Sequence, residues 1–427
     1  MSKEQPTNEE ILYSRKIKQP PKGMYKFLGG LWKLLFTKKY GITVEFKADP
    51  RKEKRNYLFI SNHTSRMDYI FNALPLLPKT HNFVAGYNEF YRSHLKGVFK
   101  MMNVIPKKNF CPDGYAIKEI LRRAKEGGNI FLFPEGMNSI RGYNQPVAIA
   151  TGKLVKHLKL PVYYSVIKGG YLTCPKHRND ERHGKVEVVF DKMFEPEDFE
   201  NLTPEEIEAI INEKLWHDDF AWNKEHKYSY NMHGKAAEDL EDLLFICPKC
   251  GSQFTMHGEG NIIKCSNCGN GAEIDSTYTY HPLDETCVIP DTQTEWTKLQ
   301  RDIIRKEVED ENFSFSETVK LGMLPEHGYL KKKATSIIVG EGKLTIDRTG
   351  LTYDGTKDGA PYSFHINSQN LPTYGMCTDM SRFYTFTDGK FVEFYPASRC
   401  VEKFFLATEE IHRLNGGKWQ DVYKDKI

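Results

Sequence analysis

The chain has 427 residues, with 60 Lys and Arg against 57 Asp and Glu, so its formal charge is only +3. A composition of 39% hydrophobic and 27% charged residues is that of a globular protein of roughly two to four domains, and it excludes long disorder. No run approaches the ~18–20 apolar residues needed to span a bilayer, and nine unevenly spaced cysteines speak against an extracellular disulfide framework.

The polar start MSKEQPTNEE does not read as a secretory signal, so the cytoplasm is the expected compartment. Residues 1–44 form the first expected unit. They carry nine Lys or Arg and three Glu, a net of +6, which leaves −3 for residues 45–427. No acidic residue lies between Ile11 and Val44, and the stretch Met24 to Phe36 sets Tyr25, Phe27, Leu31, Trp32, Leu34 and Leu35 among Lys26 and Lys33. That stretch is too short to span but suits the headgroup boundary. An anionic membrane surface is therefore the expected partner, with the protein held peripherally on the inner face.

Residues 45–240 alternate short apolar runs with helical patterns. Strands are expected at Tyr57–Ile60, Phe83–Ala85, Ile130–Phe133 and Val162–Val166, with helices at Pro112–Glu126 and Val147–Leu158. This alternation predicts an α/β layer with a largely parallel or mixed sheet. A charged helical stretch over Pro204–Leu244 closes the unit.

Within 241–285, Cys247-Pro248-Lys249-Cys250 and Cys265-Ser266-Asn267-Cys268 are each followed directly by Gly, at Gly251 and Gly269. Two such knuckles supply four thiolates for a tetrahedral structural Zn2+, a zinc ribbon with no open coordination position. Ser266, Asn267, Asn270 and Glu273 dilute its few lysines, so no nucleic-acid partner is expected. Cys111, Cys174, Cys287, Cys377 and Cys400 are expected as free thiols. Residues 286–325 read as a helical linker whose helix, Thr294–Asp310, carries Trp296, Leu299, Ile303 and Ile304 on one face. Residues 326–427 read as seven short strands, at Ser336–Val339, Lys343–Ile346, Leu351–Tyr353, Tyr362–Ile366, Tyr374–Cys377, Phe383–Phe386 and Phe391–Tyr395, and a final amphipathic helix near Arg399–Leu414, in a pleckstrin-homology-like arrangement. Few basic residues cluster there, so protein contact or stabilisation is expected of it.

The sharpest chemistry follows the first expected strand, in Ser61-Asn62-His63-Thr64-Ser65-Arg66-Met67-Asp68. A His whose second ring nitrogen is held by a carboxylate can serve as general base near neutral pH. About 70 residues on, again at a strand end, stands Phe133-Pro134-Glu135-Gly136. In this order and spacing the two motifs resemble the glycerolipid acyltransferases typified by 1-acylglycerol-3-phosphate acyltransferase, over roughly residues 45–215.

The resemblance implies an acyl group moved from a thioester donor, acyl-CoA or acyl-carrier protein, to the free hydroxyl of a lysophospholipid. His63 would be the base and Asp68 its orienting partner. Asn62, Ser65, Lys107, Lys108, Glu135, Gly136 and Arg141 would be the substrate-contacting residues. Lys107 and Lys108 follow Val104-Ile105-Pro106, where the family usually has Arg. Its usual Thr-Arg-Ser after the Glu-Gly pair is here Met137-Asn138-Ser139, so a positive charge is missing at 138 and the nearest is Arg141. No Ser or Cys nucleophile is tied to His63, which implies direct transfer in a ternary complex. The rival expectation is a lipid-binding scaffold without turnover, using the ribbon and the C-terminal domain for partner contact.

Overall fold

The computed structural model describes residues 5–376, 379–423 and 426. Seven strands form the first sheet: β1 (Ile42–Phe46), β2 (Leu58–Ser61), β3 (Asn82–Gly86), β4 (Ile105–Lys107), β5 (Ile130–Leu132), β6 (Val162–Lys168) and β7 (Val186–Phe194). Their spatial order is β1-β7-β6-β2-β5-β3-β4, and every pair is parallel except β6 with β7. The central strands are apolar on both sides because both faces are covered. Leu58, Ile60 and Ile130 pack on Ile120, Val155 and Ile207, while Tyr57, Phe59 and Phe131 pack on Phe71, Val188 and Phe190.

Two sheet strands were not legible as such. β1 is an edge strand, largely exposed, and β7 alternates buried and half-buried residues, so neither shows a continuous apolar run. The helix expected over Val147–Leu158 begins only at Thr151, since Ala148 N–H bonds back to the Pro134 carbonyl in an extended approach. The charged stretch expected as helical to Leu244 breaks after helices Pro204–Leu215 and Asp219–His226. Lys227 then adopts a positive φ of 55°, which ends the second helix.

Preceding the sheet, helix Lys22–Lys39 lies against the α/β layer with Tyr25 buried. Gly29 sits so close to Leu77 that an added Cβ would meet its side chain at 2.6 Å, so the glycine permits this packing. Phe27, Leu31, Leu34 and Leu35 form an exposed stripe on the same helix. The side chains of Met24, Leu28, Trp32 and Phe36 lie outside those described. No helix among the described residues is long and apolar enough to cross a membrane.

The ribbon is a four-stranded antiparallel sheet of β8 (Met256–Glu259), β9 (Ile262–Cys265), β10 (Gly271–Ile274) and β11 (Tyr280–Pro282). Helix Gln293–Glu309 follows, as the spacing predicts. The rest of the expected linker is different: Ser314–Met323 is a ten-residue strand, β12, at the heart of the last sheet. Its alternation of Ser, Glu, Thr and Lys with apolar residues hides it among linker-like sequence. β13 (Ile337–Asp347) joins two expected strands into one, running through Gly340 and Gly342, which lie against neighbouring backbone.

With β14 (Gly350–Lys357), β15 (Ala360–Asn367), β16 (Phe383–Thr387) and β17 (Lys390–Pro396), these form a six-stranded antiparallel sheet ordered β15-β14-β13-β12-β17-β16. Among the described residues no ladder joins β15 to β16. The strand expected at Tyr374–Cys377 is reduced to a bridge from Gly375 to Tyr384, and Cys377 lies outside the described residues.

Helix Val401–Leu414 packs on this sheet, and residues Val401–His412 are all buried, including Glu402, Glu409 and Glu410. One hydrophobic cluster runs without a break from Met137 and Phe220 of the α/β layer through Cys247 and Ile263 of the ribbon to Trp296, Leu344 and Phe404. The ribbon, linker helix and β-rich sheet therefore share a core with the α/β layer.

Candidate active site and metal centre

β2 and β5 are hydrogen-bonded neighbours, Ile60 opposite Leu132, so the loops that leave their C-terminal ends emerge side by side. This is where open α/β sheets place ligand sites. The first loop carries His63 into helix Asp68–Ala73, and the second carries Phe133 to Gly136.

His63 Nδ1 lies 2.8 Å from Asp68 Oδ2, and its ring stacks on Phe133 at 4.2 Å between centroids. Asp68 is fully buried and also accepts from Ser65 N–H at 2.9 Å, Thr64 Oγ1 at 2.8 Å and Ser65 Oγ at 2.9 Å. A carboxylate so engaged favours the tautomer with the proton on Nδ1 and leaves the lone pair on Nε2. Beneath it, Asn72 donates to Ser61 Oγ at 3.2 Å and to the Asp68 carbonyl at 3.1 Å, and Ser165 Oγ donates to Asn72 Oδ1 at 2.5 Å.

Glu135 is buried and accepts three N–H groups: His63 backbone at 2.7 Å, Gln145 backbone at 2.8 Å and Asn144 Nδ2 at 2.6 Å. Burial pushes its carboxyl up to about 8 against those donors. The Ser139 N–H in turn donates to the His63 carbonyl at 2.7 Å. The Glu-Gly motif thus grips the backbone on either side of the histidine.

His63, Phe133, Pro134 and Gly136 line a cavity of about 750 Å³. Much of its wall is apolar, from Leu74 and Leu77, Val84, Leu95 and Phe99, Leu132, Leu154 and Val155. Its charged groups are mostly cationic: Arg66, Arg92, Lys107 and Lys176, with Glu89 as a half-buried carboxyl and the neutral Asn88, Asn109, Asn138 and Asn179 beside them. Such a space, greasy with a handful of placed charges, fits a ligand with a long apolar body and an anionic end.

Of the residues expected to touch substrate, the structure brings Lys107 and Gly136 to this wall and places the others elsewhere. Asn62 is buried, bonded to the Ile167 carbonyl and N–H at 2.8 and 2.7 Å, so it ties β2 to β6. Ser65 is spent on Asp68. Lys108 turns outward to Glu9 at 3.0 Å and the Gly389 carbonyl at 2.8 Å, whereas burial in the cavity wall lowers the Lys107 ammonium pKa. Arg141 is wholly buried, its Nε 2.6 Å from Glu402 of the C-terminal helix. Glu135 is enclosed by its donors, as above. Arg66 stands inside the His63–Asp68 motif but was given no role there, and Arg92, Asn109 and Lys176 carried no motif that would have singled them out.

The second centre is the ribbon. The Sγ atoms of Cys247, Cys250, Cys265 and Cys268 all lie within 4.8 Å of one another. Cys247 to Cys268 is 3.6 Å and Cys250 to Cys265 is 3.9 Å. A tetrahedron with ~2.3 Å metal–sulfur bonds has edges of about 3.8 Å, so the spacing fits a metal. Each knuckle closes alike: Gly251 N–H donates to the Cys247 carbonyl and Gly269 N–H to that of Cys265, with φ of +71° and +76°. Thr255 Oγ1, Asn267 and Asn270 contact the sulfurs from outside. Cys111, Cys174, Cys287 and Cys400 are free thiols.

Residues 42–168 match the Acyltransferase family model. The 1-acyl-sn-glycerol-3-phosphate acyltransferase of Bacillus subtilis is 22% identical over 195 residues, 45% of this chain and 93% of that protein. The crystal structure of the 1-acyl-sn-glycerophosphate acyltransferase of Thermotoga maritima is 21% identical and covers 45% of this chain and 76% of its own, at a TM-score of 0.39. Family match and motif pair coincide on the same α/β layer: residues 42–168 form an acyltransferase-family domain similar to the 1-acylglycerol-3-phosphate acyltransferases, with a cysteine cluster and a β-rich sheet behind it.

Proposed function

We propose that the protein transfers a fatty acyl group from a thioester donor, acyl-CoA or acyl-carrier protein, to the free hydroxyl of a lysophospholipid, 1-acylglycerol-3-phosphate first. The observation that carries this reading is the His63–Asp68 pair opening onto a long apolar cavity that also holds Lys107. His63 Nε2 takes the hydroxyl proton as the alkoxide oxygen attacks the thioester carbonyl, and Asp68 stabilises the imidazolium so formed. The tetrahedral intermediate collapses with loss of the C–S bond, and the imidazolium returns its proton to the departing thiolate. Lys107 neutralises an anionic headgroup as a point charge. The test is mass-spectrometric product analysis with purified protein, a panel of lysolipids and both donor types. Turnover that requires both substrates supports direct transfer. An acylated enzyme trapped on donor alone defeats it, and lipid binding without turnover favours the scaffold.

Two further readings accompany it. The exposed stripe of Phe27, Leu31, Leu34 and Leu35, flanked by Lys26 and Lys33, suits peripheral contact with an anionic bilayer. Zn2+ is the metal that four thiolates at this spacing select, and it is structural. Chelation should unfold the ribbon and, through the shared core, lower the melting temperature of the whole chain. Full stability with no metal by elemental analysis would exclude it.

A further inference from the structure

Helix Ser93–Met101 is amphipathic, yet none of its residues is buried. Leu95, Val98 and Phe99, with Met102 at its C-terminal cap, follow the helical spacing and line the cavity. Val98 is also 41% exposed, so the cavity reaches the surface at this helix. Tyr25 and Gly29 of helix Lys22–Lys39, which bears the exposed apolar stripe, line the same cavity. Lys96 and Lys100 are exposed on the side of Ser93–Met101 that faces away from it. Beside this helix runs a loop from the β-rich part. Leu330 is buried with Tyr87, Phe90 and Tyr91; its N–H donates to the Tyr91 carbonyl at 2.8 Å, and its carbonyl accepts from Ser93 N–H at 3.0 Å. Lys96 Nζ stands 3.8 Å from the centroid of the Tyr329 ring. The next residues, Lys331, Lys332 and Lys333, are all exposed. Lys332 comes close enough to His94 to add, after burial and Arg92, to the causes that lower its imidazole pKa. No acidic residue lies between Ser93 and Cys111, and none between His327 and Gly340. Few basic residues cluster within the β-rich part itself; the fold assembles this cluster from two segments distant in sequence.

We propose that Lys331, Lys332 and Lys333 join Lys96 and Lys100 in a second membrane contact, through which the β-rich part holds the cavity mouth against an anionic bilayer. This rests on the peripheral-membrane reading above, which drew on helix Lys22–Lys39 alone. Ammonium groups act as point charges, so a fluid layer of anionic headgroups satisfies them without the fixed geometry a guanidinium fork demands. The apolar residues of Ser93–Met101 stand beside them, the combination that suits the headgroup boundary. A bilayer covers the lysines and both apolar stripes at once, whereas an acidic carrier protein would account for the lysines alone. The charges are also firmly carried, because Leu330 shares one hydrophobic cluster with Tyr384, Phe386 and Phe391 of the last sheet.

Flotation of the full-length protein tests this, with vesicles of equimolar phosphatidylglycerol and phosphatidylcholine against vesicles of phosphatidylcholine alone. The combined variant Lys331→Gln, Lys332→Gln, Lys333→Gln should bind the anionic vesicles roughly 10- to 100-fold more weakly than wild type, at an unchanged melting temperature. The deficit should shrink as salt rises, since screening removes what the lysines contribute. Lys331→Arg, Lys332→Arg, Lys333→Arg should bind as wild type, because charge alone is used. Leu34→Ser with Leu35→Ser probes the N-terminal helix separately and should weaken binding to both kinds of vesicle. If that variant loses binding while the triple Gln variant floats like wild type, the peripheral reading stands and the proposal is overturned. A wild-type protein that ignores anionic vesicles overturns both. Unchanged flotation of the triple Gln variant, with turnover lost only on the acyl-carrier-protein donor, would make the lysines a carrier dock and likewise overturn the proposal.

Discussion

Two clusters of buried charge lie back to back in this molecule, joined by the short loop from Glu135 to Arg141. In the first, the carboxylates of Asp68 and Glu135 are met mainly by neutral N–H and O–H donors and by the His63 ring. In the second, carboxylates face guanidinium groups. Glu402 pairs with Arg141, Glu409 with Arg301 at 2.5 Å, and Glu410 with Arg301, Arg305 and Arg413. Neutral donors fix Asp68 against the His63 ring and Glu135 against the His63 backbone without an opposing charge. Opposing guanidiniums instead cancel the charge of the carboxylates they meet. The first cluster opens on the cavity through His63, whereas the second does not reach the cavity and holds two parts of the chain together.

The largest expected effect tests the reactive half of that contrast. His63→Ala should lower turnover by ~10²–10⁴-fold, the range general-base removal produces, while the melting temperature and metal content stay those of wild type. Activity retained within a few-fold would move the base elsewhere and leave the first cluster as scaffolding.

The holding half is probed at Arg141. Arg141→Met should destabilise by about 3 kcal/mol, because it strands the buried Glu402. Burial already raises Glu402 to about 7 despite Arg141, so without its partner it would be protonated at neutral pH. Combining Arg141→Met with Glu402→Leu should recover much of the loss, since no buried carboxyl is then left without its Arg141 partner. Chemical denaturation reads both. If Arg141→Met instead lost activity at full stability, Arg141 would belong with the reacting cluster, as the resemblance implied.

The two clusters also differ in how far the sequence disclosed them. His63, Asp68 and Glu135 were legible because a strand end followed by polar residues is a local pattern, and the pairing of β2 with β5 does the rest. Asn144, Gln145 and Lys176 were not: the first two reach back to Glu135 across an irregular loop that follows no period, and Lys176 meets Met376 from a remote part of the chain. The same holds for β12, which reads as a polar linker until β13 and β17 flank it. Helix Val401–Leu414 misled in a different way. Its apolar stripe was visible, but its acidic face reads as solvent-exposed by composition and is in fact buried against arginines from two other segments. Periodicity reports which face is apolar, and it is silent on whether the polar face finds water or a partner.

Acid should weaken the second cluster through Glu410. Burial would raise the Glu410 pKa, but Arg301, Arg305 and Arg413 outweigh it and hold the group at about 2, below the ordinary 4.5. A depressed folded-state value means the stabilisation is complete above pH 4.5 and is lost as pH falls towards 2. The loss amounts to about 3 kcal/mol, and Glu410→Gln should lack that part of the acid dependence. Parallel denaturation curves for the two proteins from pH 7 to pH 2 would remove Glu410 from the holding network.

Glu135→Gln gives the smallest effect and the finest division. The carboxylate meets N–H donors at both oxygens, so an amide in its place must turn an NH2 towards either Gln145 N–H or the pair His63 N–H and Asn144. The first choice breaks fewer bonds, and it should destabilise by about 1–2 kcal/mol, the loss of one buried hydrogen bond. Because the His63 backbone keeps its acceptor in that arrangement, turnover should fall only about 10-fold, through looser placement of the base. KM for the acceptor should not move, since Glu135 is absent from the cavity wall. A rise in acceptor KM would return Glu135 to the role the resemblance implied for it, that of a substrate-contacting residue, and the carboxylates of the first cluster would no longer share a single function.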